Sequence, residues 1–177
     1  VCYTDPFQGE VCARFAREQL KAQKAATLYD QQQAYSKGLN DYFKKSFIES
    51  GGVITTEQAY SGGAQDFGAQ LTTIRETKPN VVFLPGYYTD VANIALQVRK
   101  LGITVPLLGG DGWDSDKLAK IGGAAIEGAY YANHYAPDEQ RPEVQEFIKR
   151  FQAEFKGEVP DGMAATGYDG ALILFDA

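Results

Sequence analysis

The sequence holds few of the residues that carry metal, redox or nucleophilic chemistry: one histidine, His134, and two cysteines, Cys2 and Cys12, among 177 residues. A single histidine with no cysteine pair beside it makes no zinc site, and two cysteines are too few for a disulfide framework. Cys2 and Cys12 could bridge or remain free thiols. Cys2 falls on an expected strand and Cys12 inside the next helix, so the separation a bridge needs is not assured. Basic residues are also scarce: 17 Lys and Arg against 23 Asp and Glu leave a net charge of −6. With no Lys/Arg cluster, nucleic acid and anionic membrane are poor partners. No apolar run approaches the ~20 residues of a membrane-spanning helix. The motifs G-x-S-x-G, G-x-x-x-x-G-K-[ST] and G-x-G-x-x-G are missing, so neither a hydrolase nucleophile elbow nor those nucleotide loops are present. Asp111, Asp114 and Asp116 cluster, but not at the spacing of an EF-hand loop. Asp30, Glu57 and Asp111 meet the bare description of an acid/base pair, as many surface acids would. No catalytic residue, cofactor or metal is assigned.

What is present is a globular composition, 44% hydrophobic and 12% aromatic, with a regular alternation of elements. Strands are expected at Val1–Thr4, Ala25–Tyr29, Val53–Tyr60, Val81–Pro85, Val105–Leu108 and Ala129–Asn133. Asp5-Pro6 reads as an N-cap and first-turn proline for a helix bearing Val11, Phe15 and Leu20. Helical spacing returns at Leu39, Phe43 and Phe47, around Phe67–Thr77, from Val91 to Leu101, at Val144–Phe155 and from about Gly162. The runs "VVFL" and "PLL" are apolar throughout, as strands covered on both faces should be. The pattern predicts an α/β fold: a doubly wound, mostly parallel sheet flanked by helices, a flavodoxin-like or Rossmann-like three-layer lobe over residues 1–177.

In such a sheet, ligands bind outside the carboxyl ends of the strands. Those ends carry Tyr3-Thr4-Asp5, Tyr29-Asp30 with the loop to Tyr35-Ser36, Gly86-Tyr87-Tyr88, Gly109-Gly110-Asp111-Gly112-Trp113, and Asn133-His134-Tyr135. Tyrosines, a tryptophan and carboxylates gather there without Lys or Arg. This edge suits a small ligand with a cation and some apolar surface: rings give contact area and cation–π attraction, and a carboxylate gives the charge partner. Asp111 between glycines is either that partner or a helix cap, although Asp114 and Ser115 lie nearer the next helix. Tyr87 and Tyr88 are either ligand walls or a polar strand end.

The segments "DPFQG", "LYDQQQAYSKGL", "TTEQAYSGGAQDFGAQLTTI", "PNVVFLPGYYTDV", "LGITVPLLGGDGW", "EGAYYANHY" and "GYDGALILFDA" follow one another along the whole chain. Together they resemble the branched-chain (Leu/Ile/Val-type) amino-acid-binding proteins of bacterial ABC importers, periplasmic binding proteins of the type I fold. Such proteins clamp an amino acid between two α/β lobes. The chain is similar to the second lobe only. It opens on Val1 without a signal peptide and stops at Ala177 without a helix cap, so excision from a two-lobed parent is expected. The resemblance implies that Asp111 pairs with the ligand's α-ammonium, and that Tyr87 and Tyr35 line the same pocket. Many relatives carry Glu where Asp111 stands, so the ligand would sit deeper or be a different amino acid. Trp113 is expected to pack within its loop rather than on the ligand.

The resemblance further implies a periplasmic location, or an extracellular lipoprotein in a Gram-positive parent. Its partners would be an amino acid, the importer's membrane permease and the missing first lobe, with self-association of the isolated lobe through its uncovered face. Other readings are a ligand-binding sensor domain of a receptor, which shares the fold, and a flavodoxin-like enzyme, which would need a cofactor loop or an activated nucleophile. A receiver-like signalling domain would want a lysine after the fifth strand, where "PLLGGDGW" has none.

Overall fold

The structure is a computed structural model and describes residues 2–176. Strands β1 (Lys24–Asp30), β2 (Val53–Tyr60), β3 (Val81–Phe83), β4 (Leu107–Gly109) and β5 (Tyr130–Tyr131) form one sheet in the order β2-β1-β3-β4-β5. Every neighbouring pair is parallel. The helices are α1 (Asp5–Glu18), α2 (Ala34–Glu49), α3 (Gly68–Thr77), α4 (Tyr88–Lys100), α5 (Asp116–Gly122), α6 (Pro142–Glu154) and α7 (Gly162–Asp176). This strand order is the flavodoxin-like one, with its switch point between β1 and β3.

The apolar strand runs divide their side chains between two cores, because successive strand residues point to opposite faces. Val81, Phe83 and Leu108 pack with Cys12, Ala13 and Ala16 of α1 and Leu39, Phe43 and Phe47 of α2. Val82, Leu84 and Leu107 pack on the other face with Leu71 and Ile74 of α3, Ile94 and Val98 of α4, and Leu118 of α5. Phe43 stacks on Phe83 at 4.0 Å and on Phe47 at 5.4 Å. The expectation of a two-sided parallel sheet therefore holds.

The expected strand at Val1–Thr4 does not. Val1 lies outside the described residues, and Cys2–Thr4 are outside the sheet. Thr4 is extended, with φ −80° and ψ 152°, but it serves as the N-cap residue of α1. β-branched and aromatic residues favour strands only where a neighbour supplies the ladder, and β1 already has β2 and β3 on its two sides. Asp5 accordingly moves from the expected N-cap into the first turn of α1 with Pro6. Both cysteines are free, Cys2 exposed and Cys12 buried.

The chain divides into two compact units. One is Thr4–Ala132, with the whole sheet and α1 to α5. The other takes Asn133 onward together with the residues before Thr4. Within it, α6 and α7 meet through Phe147 and Tyr168, whose ring centroids lie 4.9 Å apart. Along α7, Leu172, Ile173, Leu174 and Phe175 remain 51%, 59%, 74% and 85% exposed.

Candidate ligand site at the carboxyl edge of the sheet

The "GGDGW" turn follows β4. Gly109 and Gly110 are small because other groups occupy the space a Cβ would take. A Cβ on Gly109 would lie 2.1 Å from Trp113 Cε2. One on Gly110 would lie 2.4 Å from Gln8 Oε1 and 2.6 Å from the Tyr35 hydroxyl. Asp111, Gly112 and Trp113 then form a single 3-10 turn. Trp113 is 1% exposed and its Nε1 donates to the Leu84 carbonyl at 3.0 Å. The indole thus fills the core and ties the end of β4 to the end of β3, as expected for packing within the loop. Ser115 caps α5, its Oγ accepting from Lys117 N at 3.2 Å. Asp114 accepts from the Tyr131 hydroxyl at 3.2 Å. Asp111 is therefore not the cap of α5.

Asp111 is held by two helices. The Tyr35 hydroxyl, from the first turn of α2, donates to Asp111 Oδ1 at 2.7 Å. The Tyr35 hydroxyl oxygen also accepts from Gly112 N at 3.1 Å. From α1, Gln8 Oε1 accepts from Asp111 N at 3.2 Å. Tyr87, at the N-terminus of α4, stacks on Tyr35 with centroids 5.2 Å apart. A Cβ on Gly112 would come within 3.2 Å of both tyrosine rings. The structure brings the three predicted residues Asp111, Tyr35 and Tyr87 into one cluster, drawn from the turns after β4, β1 and β3.

The charge in this cluster is negative. Asp5 lies on α1 three residues before Gln8, and its Oδ2 would be 2.6 Å from a Cβ on Gly38, three residues after Tyr35. Burial, and then the charge of Asp111, push the Asp5 carboxyl above the usual aspartate range. Burial, followed by the Asp111 charge, also pushes the Tyr35 hydroxyl well above the usual tyrosine range, so it stays a donor. Gln8, Asp5, Tyr35, Gly38, Tyr87 and the turn itself include no basic side chain.

Other predicted groups go elsewhere. Glu57 pairs with Lys44 at 2.6 Å and accepts from Asn40 at 2.7 Å. Asp30 is 2% exposed and accepts from Gln32 N. Near it the Tyr60 hydroxyl donates to Asp90 at 3.3 Å. Burial, and next the nearby Asp90 and Asp30 charges, push the Tyr60 hydroxyl up. No acid/base pair with Asp111 results from Glu57. Asn133, His134 and Tyr135 belong to the second unit, where His134 lies 4.9 Å from Tyr3. Gln8 was not predicted. No local pattern marks it, since its partner Asp111 lies 103 residues away.

In parallel α/β sheets ligands bind outside the carboxyl ends of the strands, the edge on which this polar and aromatic cluster lies. The family model described as "Periplasmic binding protein" matches residues 1–177, and the chain belongs to that family. It is 30% identical over 177 residues to a Leu/Ile/Val-binding protein homolog 2 of Brucella abortus (strain 2308), covering 99% of this chain and 46% of that protein. Among solved structures it is similar to a leucine-binding protein, LivK, of Thermotoga maritima, with TM-score 0.94 and 37% identity over 99% of this chain and 50% of that one. It is also similar to LivJ of Streptococcus pneumoniae, solved in complex with isoleucine, with TM-score 0.91 and 26% identity over the same shares. These relatives are described as binding proteins, not enzymes. The chain spans about half the length of each, 46% to 50%.

Proposed function

We propose that the chain is one lobe of a two-lobed solute-binding protein of an ABC importer for branched-chain amino acids, working in the periplasm or at the cell surface. It supplies the ammonium half of an inter-lobe site. Asp111 pairs with the α-ammonium, Tyr35 orients the carboxylate, and Tyr87 offers its ring as a wall. The observation that carries this reading is the 2.7 Å bond from Tyr35 to Asp111 beside the Tyr35–Tyr87 stack. The acids raise the local cation concentration, and the ring faces attract a cation.

A lone ammonium–carboxylate pair in open water contributes little. Closure of a second lobe expels water and strengthens the same pair. By itself this lobe binds free amino acids weakly, at about millimolar or weaker. The exposed apolar residues Leu172 to Phe175 of α7 are a surface for the other part of such a protein or, alone, for self-association. Titration of the chain with L-isoleucine to tens of millimolar, followed by amide NMR, tests the site. Shifts confined to Tyr35, Tyr87 and Gly110–Trp113 support it; shifts elsewhere, or a submicromolar Kd, contradict it.

A further inference from the structure

We propose that Gln8 is a positioning residue of this site: it fixes the peptide of Asp111 so that the carboxylate meets the ligand's ammonium. The proposal holds only if Asp111 is the ammonium's partner. Asp111 opens a 3-10 turn, where a backbone N–H finds no acceptor within the turn itself. Gln8 Oε1 fills that role at 3.2 Å from a side chain that is 2% exposed. A backbone N–H can only donate, so it is the amide oxygen that faces Asp111.

Glycines on both sides set this contact. A Cβ on Gly9 would lie 2.7 Å from Tyr42 Cβ and 2.8 Å from Phe43 N, so α1 comes close to α2 next to Gln8. Gly110 leaves the space that Gln8 Oε1 enters. Gln8 thus grips the peptide of residue 111 from α1, while Tyr35 grips its carboxylate from α2. Gln8 acts through Asp111, and small displacements of a charge partner are costly in a built site.

The test uses Gln8→Met, close in shape but without the amide oxygen. Hydrogen exchange at the Asp111 amide and L-isoleucine affinity are both read by NMR on the 177-residue chain. Gln8→Met is expected to speed exchange at Asp111 and to weaken isoleucine binding about ten-fold, with the other amides of the sheet unchanged. Gln8→Asn, which draws the acceptor back by one carbon, reads the same loss should the methionine variant fail to fold. Wild-type affinity in Gln8→Met or Gln8→Asn overturns the role of Gln8 and leaves the site standing. So does faster exchange spread over the sheet amides instead of confined to Asp111, since that marks a merely structural side chain. A wild-type chain that gives no response at Asp111 overturns both the site and this role.

Discussion

The Tyr35 hydroxyl donates to Asp111 Oδ1 at 2.7 Å and accepts from Gly112 N at 3.1 Å, so one oxygen serves both the carboxylate and the turn that carries it. Removing it in Tyr35→Phe leaves Gly112 N without that acceptor and takes away one hydrogen bond to Asp111 Oδ1. The expected cost is about 1.5–3 kcal/mol of stability, the range for a bond to a charged group. Chemical denaturation measures it. The loss in amino-acid affinity is expected to exceed that of Tyr87→Phe, which keeps the ring stack.

Gly110 and Gly112 are required by close approach, not by backbone angle. Gly110→Ala would drive a methyl into Gln8, Leu39 and Tyr35. About 1–3 kcal/mol of destabilisation is expected from overpacking, together with loss of ligand response. At Gly63 a Cβ would meet nothing within 4 Å, but its φ of +80° strains any side chain, so Gly63→Ala is expected to cost stability without touching the ligand response. A thermal melt paired with a titration separates the two variants.

Trp113 is expected to matter for folding and only indirectly for binding. Trp113→Phe loses the hydrogen bond to Leu84 O and part of the packing on the α4 side of the sheet. A cost of about 2–3 kcal/mol is expected from the bond and the lost volume together. Unfolding monitored by circular dichroism checks this, since the only tryptophan is gone.

The two thiols should separate cleanly. Burial pushes the Cys12 thiol up to about 12, and its Sγ–H donates to Gly109 O at 3.4 Å. Below that pH the reactive thiolate is the minor form, so its fraction at Cys12 should still climb about ten-fold per pH unit past pH 9, where an ordinary thiol has levelled off. With iodoacetamide at pH 8, mass spectrometry should find Cys2, which is exposed, modified and Cys12 intact. Equal labelling of both would contradict the burial of Cys12.

The exposed apolar residues at the end of α7, Leu172 to Phe175, should drive association of this chain. Leu174→Glu with Phe175→Glu is expected to lower the sedimentation-average mass at high concentration and to leave the ligand response of the Thr4–Ala132 unit unchanged.

Much of the sheet was legible because parallel strands buried on both faces read as apolar runs: "VVFL" and "PLLGG" point to β3 and β4 directly. β5 was harder to delimit. Tyr130 and Tyr131 are 43% and 40% exposed, and only two residues pair. "VCYT" carried strand composition without a neighbour to pair with. Asp111, Tyr35 and Tyr87 could be placed on one edge because each follows a strand. Their mutual contacts could not, since they depend on helix approach at glycines such as Gly9, which the local pattern does not reveal. Gln8 was missed for that reason: it lies 103 residues from its partner.

The central claim is that Asp111 reads the ligand's ammonium. The most direct measurement titrates the wild-type chain and Asp111→Asn with L-isoleucine and with 3-methylpentanoate, the same skeleton without the amine. The predicted result is a response at Tyr35, Tyr87 and Gly110–Trp113 to isoleucine alone, reduced about ten-fold or more in Asp111→Asn. An equal response to both compounds, or an unchanged one in the variant, would contradict it.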